Sequence, residues 1–334
     1  MKKSLIFCAA LLASAFAFQS CDQVKSDNPA TVDEVTYDLQ KGMTLGDYID
    51  KYAVDGIVTL PAGAVVNLDE EVVFNEAIGI ISDEKNPATI VAKAGFVTNS
   101  PIYFSNVKID ATNVATPLVK MNTLPTEGLN DVGAFEIDMI VFDGVTVEGL
   151  KTQLFYANKQ KYLVHSFAIN NCTINRVGAN KKSIMDFNGG GLPLKVTINK
   201  STIESDATTV HNAGDFFTTQ SGSNLAQVTS DPDAKQVFTI TDNKFSGIAK
   251  GKNLCSLRQK NQAWQYYVIK NNVVADCGKS GQFIKGFCEG QNINKKENWE
   301  ASGNVVTFDG NDVGAEENKA LEGACLVPDT PEAE

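Results

Sequence analysis

The side chains best suited to recognising a ligand gather in the last third of this 334-residue chain. Trp264, Tyr266 and Tyr267 share the stretch AWQYYVIK, and Trp299 follows Trp264 by 35 residues. Flat rings with a polar edge suit the faces of sugars, provided that they point outward. The competing reading buries them in the core or under a loop, where most aromatic side chains lie. Arg258, in SLRQKN, and Lys270 flank the same stretch. A cation beside a sugar carboxylate is what an eliminative lyase requires, often with Ca²⁺ held by acids. The plainer alternative has Arg258 covering turn carbonyls and Lys270 solvated. The two histidines, His165 in LVHSF and His211 in TVHNA, sit in no recognisable catalytic motif. Asp186, Asp206 and Asp215 form no Asp-Asp pair in the sequence, whereas most glycoside hydrolases need paired carboxylates. Gly189-Gly190-Gly191 lacks the Lys-Ser/Thr that completes a phosphate loop, and reads as a flexible corner.

A short unit recurs along the chain and must position these residues. It consists of an apolar residue, one or two polar or small residues, and two or three strand formers. Copies start at Phe104, Phe142, Ile169, Ile198, Ile240, Ile269 and Ala301, with steps of 38, 27, 29, 42, 29 and 32. A step near 28, enlarged twice, fits one coil of a solenoid with loops inserted at 111–134 and 204–235. Ile57–Leu60 and Ile78–Ile81 suggest two further, shorter coils. The expected fold is therefore all-β, a right-handed parallel β-helix of about nine coils.

In such a solenoid, inward side chains stack on their equivalents about 4.8 Å away. Ile169, Ile198, Ile240 and Ile269 are expected to form one ladder, and Ile174, Ile203, Phe245 and Val274 a second. The chain must bend between them. Asn106, Asn171, Asp242 and Asn271 fall at that bend, where Asn and Asp tolerate a left-handed backbone, while Lys200 and Gly303 interrupt the row. Stacking of buried asparagines between coils is a further expectation at this bend. A solenoid end exposes core and needs a cap. Residues 43–52, MTLGDYIDKY, read as a short amphipathic capping helix with Thr44 as N-cap. EENKALEG, near the other end, reads as a helical turn. Phe216-Phe217 is expected to pin the second insertion to the body.

The first residues bear on location. Lys2 and Lys3 precede an apolar run from Leu5 to Phe18, the pattern of a secretory signal and too short for a membrane span. Cys21 follows at once and is expected to carry the lipid of a lipoprotein, with plain signal cleavage as the alternative. The organisation expected is a signal peptide over 1–20, a tether over 21–38, the β-helix over 39–315 and a C-terminal cap and disordered tail over 316–334. Location is then the cell envelope, with a lipid anchor in the outer membrane as the only membrane contact. The chain carries 29 Lys and Arg against 40 Asp and Glu, a net charge of −11, and only two of its bases are arginines. That composition argues against nucleic acid as a partner. After Cys21, five cysteines remain at wide spacings that fit neither a zinc site nor a disulfide framework. Buried thiols are the favoured reading, with a Cys277–Cys288 bridge as the alternative.

The run Gly56-Ile57-Val58-Thr59-Leu60-Pro61-Ala62-Gly63, then VVNLDEEVVF and NPATIVA, resembles the first coils of pectate-lyase-like β-helix proteins. The later NNCTI and NNVV units, together with the signal and Cys21, resemble Bacteroidota lipoproteins built from domains of unknown function in that superfamily. The resemblance spans residues 36–312 and implies an association with glycan uptake. The three clustered Asp, the Gly-His-Gly and the Arg-x-Lys of polygalacturonase-like hydrolases have no counterpart here. Pectin-esterase-like patterns are missing as well. The function expected is thus non-catalytic binding of a polysaccharide or a host or cell-surface ligand, without cofactor or metal. Trp264, Trp299, Tyr266, Arg258 and Lys270 are the candidate contacts. A lyase or hydrolase with a degenerate site, the lyase with Ca²⁺, and a structural or adhesion scaffold are the alternatives.

Overall fold

Twenty-six strands of two to nine residues form three stacked sheets of nine, ten and seven strands. The computed structural model describes residues 39, 41–177, 182–205, 214–219, 225–249, 255–257, 265–278, 299–308 and 311–312. The first sheet begins with Ile57–Thr59 and ends with Trp299–Ser302, the second begins with Val65–Leu68, and the third runs from Val72–Phe74 to Cys255–Leu257. Successive strands of one sheet come from successive coils, and all pairings are parallel except the closing pair Val305–Phe308 with Asn311–Asp312. Parallel neighbours reached by a whole turn of chain define a right-handed parallel β-helix, here with nine coils among the described residues.

The register follows the repeated unit. Phe104, Phe142, Ile169, Ile198, Ile240, Ile269 and Ala301 are successive partners in the first sheet. Ile174, Ile203, Phe245 and Val274 are partners in the second. The bend between them is left-handed in every one of these coils, with φ of 53° at Asn106, 64° at Gly144, 53° at Asn171, 50° at Lys200, 59° at Asp242, 56° at Asn271 and 69° at Gly303. A left-handed residue other than Gly, Asn or Asp costs about 1–2 kcal/mol, which explains the composition of the row and marks Lys200 as its strained member. The two glycines also permit close stacking, since a Cβ on Gly144 or Gly303 would lie 2.3 Å from Oδ1 of Asn106 or Asn271.

The buried asparagine ladder is displaced by one residue from this bend. Asn106, Asn171 and Asn271 remain at the surface, whereas the next column, Asn243, Asn272 and Asn304, is buried. Each amide in that column donates to a carbonyl of the preceding coil: Ile198 at 2.8 Å, Ile240 at 2.9 Å and Ile269 at 2.9 Å. Each Oδ1 accepts a backbone N–H from the preceding coil: Ser201 at 2.9 Å, Asn243 at 3.1 Å and Asn272 at 3.0 Å. The reason is geometric, because the left-handed residue turns its side chain outward and the following residue turns inward.

Rings fill the core beneath the ladders. Phe74, Phe96, Phe104, Phe142, Phe167, Phe187, Phe217, Phe238 and Tyr267 form an unbroken line of neighbouring rings, with centroids 5.1–6.4 Å apart. Contacts of this kind add about 0.5–1.5 kcal/mol per pair to the area they bury. The N-terminal cap is the helix Leu45–Tyr52, with Thr44 Oγ1 accepting from the Asp47 N–H at 3.3 Å. Leu45, Tyr48 and Ile49 cover the first coil, and the Tyr48 hydroxyl donates to the Thr59 carbonyl at 2.9 Å. The C-terminal EENKALEG turn lies outside the described residues.

The two insertions are shorter than the spacing implied. Val119–Met121, inside 111–134, and Phe217–Thr219, inside 204–235, are strands of the third sheet and belong to their coils. The repeated unit covers only the first two sheets, so the third was hidden in stretches that read as loops. Phe216 and Phe217 do anchor the second insertion, packing on Phe245 and on Phe187 and Phe238. Cys172 and Cys277 are free and buried, and burial pushes both thiols up to about 12.

Candidate functional site

The outer face of the first sheet presents polar side chains in register on successive coils. Alternation along a strand sends every second residue outward, and the parallel register then aligns the outward residues in rows. One row reads Ser105, Asp143, Asn170, Asn199, Thr241, Lys270 and Ser302. The row beside it, two residues earlier in each strand, reads Tyr103, Val141, Ala168, Thr197, Thr239, Val268 and Glu300. All are half-buried except Ala168, which is buried, and Glu300 and Ser302, which are exposed. Within the first row, Thr241 Oγ1 donates to Asn199 Oδ1 at 3.0 Å. Among the described residues, the side chains of Asn170, Thr197 and Thr239 make no hydrogen bond within the chain and face solvent ready to make one.

Charge closes both ends of these rows. Near the N-terminal end, Asp143 Oδ1 accepts from Asn171 Nδ2 at 3.0 Å. Burial raises the Tyr103 hydroxyl above its ordinary pKa, and the neighbouring Asp143 carboxylate adds to the shift. At the C-terminal end, Glu300 receives Lys270 Nζ and the Tyr266 hydroxyl, each at 2.5 Å. The bond from Lys270 and then that from Tyr266 hold the Glu300 carboxyl below its usual range. The bond to Glu300 raises the Tyr266 hydroxyl. Because the folded pKa of Glu300 is lowered, the cluster is intact at neutral pH and is lost only as pH falls through that lowered value.

Of the contacts expected from the sequence, Tyr266 and Lys270 therefore come together, joined by Glu300. Arg258 and Trp264 lie outside the described residues, as do Cys21 and the side chain of Trp299. The backbone of Trp299 is in register with Tyr267, whose ring is buried against Phe238.

A second cluster was not expected. In the three coils with the longest first-sheet strands, Phe135–Asp143, Tyr162–Asn170 and Leu192–Asn199, the alternation breaks. Ile137 and Ile140 both point into the core, as do Val164 and Phe167, leaving two consecutive residues between them on the outside. In this crease His165 Nε2 meets Glu136 Oε2 at 3.0 Å. Asn130 Nδ2 donates to Glu136 Oε1 at 2.8 Å and to the Val228 carbonyl at 2.7 Å. Lys195, exposed and without a partner among the described residues, stands in register with Ser166 on the preceding coil.

Asn130 belongs to the first insertion and Val228 to the second, so this amide joins the two. They also share a satellite core of Ala134, Leu163, Leu192, Leu225 and Val228, separate from the main one. The insertions thus rise as one wall beside the polar rows. The only sequence signal for this meeting was Leu163, Leu192 and Leu194 on strands whose outer side otherwise reads as polar. Among the described residues no group of His, Cys, Asp and Glu has the arrangement of a metal site, and no helix is long and apolar enough to cross a membrane.

Residues 64–206 match the family model described as a domain of unknown function, DUF4957. No curated protein and no solved structure matches the chain. The matched segment contains the crease with Glu136, His165 and Lys195, and the row members Ser105, Asp143, Asn170 and Asn199. Thr241, Lys270, Tyr266 and Glu300 lie beyond it.

Proposed function

We propose that this chain is an exported, non-catalytic lipoprotein of the cell envelope, of the pectate-lyase-like β-helix type. In this reading Cys21 anchors it to the outer membrane, and the outer face of the first sheet holds a polysaccharide or another cell-surface ligand. The observation that supports the reading is the pair of aligned rows, Ser105 to Ser302 and Tyr103 to Glu300, with hydroxyls and amides turned to solvent on successive rungs. A row of donors and acceptors at a fixed repeat suits a ligand that itself repeats. The aligned polar side chains include no paired carboxylates, which supports binding over hydrolysis.

A glycan-array screen of the purified protein, with analysis of the supernatant for cleaved products, tests this. Retention of a polysaccharide without products is expected. Retention of none removes the glycan reading and leaves a scaffold. Products would favour the enzyme reading, for which Glu136, His165 and Lys195 are the strongest constellation, since a carboxylate-oriented imidazole has one nitrogen left for proton transfer. Trp264 is proposed to extend the same face, so Trp264→Ala should weaken retention at an unchanged Tm. The register of Trp299 with the inward Tyr267 withdraws Trp299 from the proposal. Cys21→Ala should move the protein from the membrane fraction to the soluble fraction. Unchanged membrane retention would remove the anchor from the proposal.

A further inference from the structure

The charge on the outer face of the first sheet narrows what it can hold. From Ala168 to Val268, across four consecutive coils, the two rows present Ala168, Asn170, Thr197, Asn199, Thr239, Thr241 and Val268. None of these side chains is ionisable. The cation at the end of the stretch, Lys270, is already neutralised by Glu300 at 2.5 Å, and Glu300 is held ionised by that contact and by Tyr266. At the other end Asp143 contributes a negative charge, bonded to an amide and not to a cation. Among the described residues, the two rows themselves offer an acidic polymer no free cation between Asp143 and Glu300. Such a polymer would also approach a chain of net charge −11. Two ammoniums without a partner among the described residues flank the rows. Lys200 is at the left-handed bend next to Asn199, with Asp242 at the same bend position of the next coil, and Lys195 is two residues before Thr197, on the side of the Glu136–His165 pair.

We propose that this face takes a neutral, hydroxyl-rich polysaccharide that lies along the solenoid axis, its sugars meeting Asn170, Thr197, Asn199, Thr239 and Thr241 on successive rungs. This inference rests on the glycan reading above and adds the class of glycan and the direction of the chain. The rungs repeat at about 4.8 Å, comparable to the length of one sugar in an extended polymer. Each rung offers a hydroxyl or amide able to donate and accept, as sugar hydroxyls can. Thr197 and Thr239 are central to the site, because their hydroxyls have no partner within the described chain. A neutral contact of this kind owes little to long-range attraction, so binding should be nearly independent of salt.

The test uses the full-length protein with three immobilised polymers: a neutral β-glucan, a neutral mannan and polygalacturonate. Affinity is measured at low and at high ionic strength. Retention on a neutral polymer is expected, with less than about a twofold change on raising the salt. The double variant Thr197→Val, Thr239→Val keeps the shape and strand preference of both residues and removes only the two hydroxyls. It should bind about tenfold more weakly at an unchanged Tm, the loss of roughly one net hydrogen bond. Selective, salt-sensitive retention on polygalacturonate would overturn the neutral class and leave the glycan reading standing. Neutral binding unchanged in the double variant would overturn the placement on these rows. Retention on none of the three, with an empty glycan array, would remove both readings together.

Discussion

The inward column after the left-handed bend is built in two ways along the solenoid. Toward the N-terminus it is apolar, with Val107 and Val145 buried at equivalent positions. Toward the C-terminus it is polar, and each member answers the backbone N–H of the coil before it. Cys172 receives the N–H of Val145, Ser201 Oγ that of Cys172 at 3.1 Å, and Asn243, Asn272 and Asn304 continue the series. The backbone bend is the same throughout, so the exposed peptide N–H that it creates recurs on every coil. Val145 offers Val107 no acceptor, and that coil relies on apolar contact. The difference teaches that a left-handed corner leaves one polar group to be satisfied per coil. An amide does this best, because its nitrogen can bind a carbonyl while its oxygen takes the N–H.

The largest effect expected is at the middle of the amide series. Asn272→Ala removes the acceptor for the Asn243 N–H and the donor to the Ile240 carbonyl, leaving both buried. At about 1–3 kcal/mol for each stranded group, plus the lost packing, the cost should reach roughly 3–5 kcal/mol in urea denaturation. A loss no larger than that of Val145→Ala would show that the two constructions of the column are equivalent.

Moving an amide into the apolar half sharpens the comparison. At Val147, which faces the core in the second sheet, an asparagine would have no waiting N–H and should cost about 2–4 kcal/mol. At Val145 the same residue would meet the Val107 N–H, and the net change should stay within about 1 kcal/mol because the new hydrogen bond offsets the lost apolar burial. Equal costs at the two positions would break the argument.

Cys172 marks the boundary between the halves. Its thiol lies 3.1 Å from the Asn170 carbonyl and 3.4 Å from that of Phe142. A hydroxyl at this place would reproduce the pattern of Ser201, so Cys172→Ser should change stability by less than about 1 kcal/mol. With its pKa pushed up to about 12 by burial, the native thiol should stay unreactive toward an alkylating reagent at pH 8 and react only on unfolding. Rapid labelling of the folded protein at Cys172 would contradict this placement.

The smallest effect concerns the bend itself. Lys200 holds φ of 50° in a row otherwise made of Asn, Asp and Gly. Lys200→Asn should therefore stabilise the protein by about 0.5–1 kcal/mol, read as a small rise in Tm. A fall would mean that the lysine side chain contributes more on the surface than its backbone strain costs.

The sequence by itself determined the register of the first two sheets, the left-handed corner and the N-terminal cap. Each depends on chemistry local to a few residues: a β-branched or aromatic pair flanking Asn, Asp or Gly, and Thr44 before an amphipathic turn. Tyr266 and Lys270 were legible as polar residues of one strand. Glu300, which joins them, was not, because it lies on the next coil, 34 residues after Tyr266. The third sheet escaped for a related reason. Its strands, such as Val119–Met121 and Phe217–Thr219, are three residues long and carry no corner signature, so nothing local separates them from loop. The line of rings from Phe74 to Tyr267 and the joining of the insertions through Asn130 depend on which residues arrive at the same height after different lengths of chain. The coil steps range from 22 to 42 residues, and only the closed backbone hydrogen bonding of the stacked coils turns those unequal lengths into equal rungs.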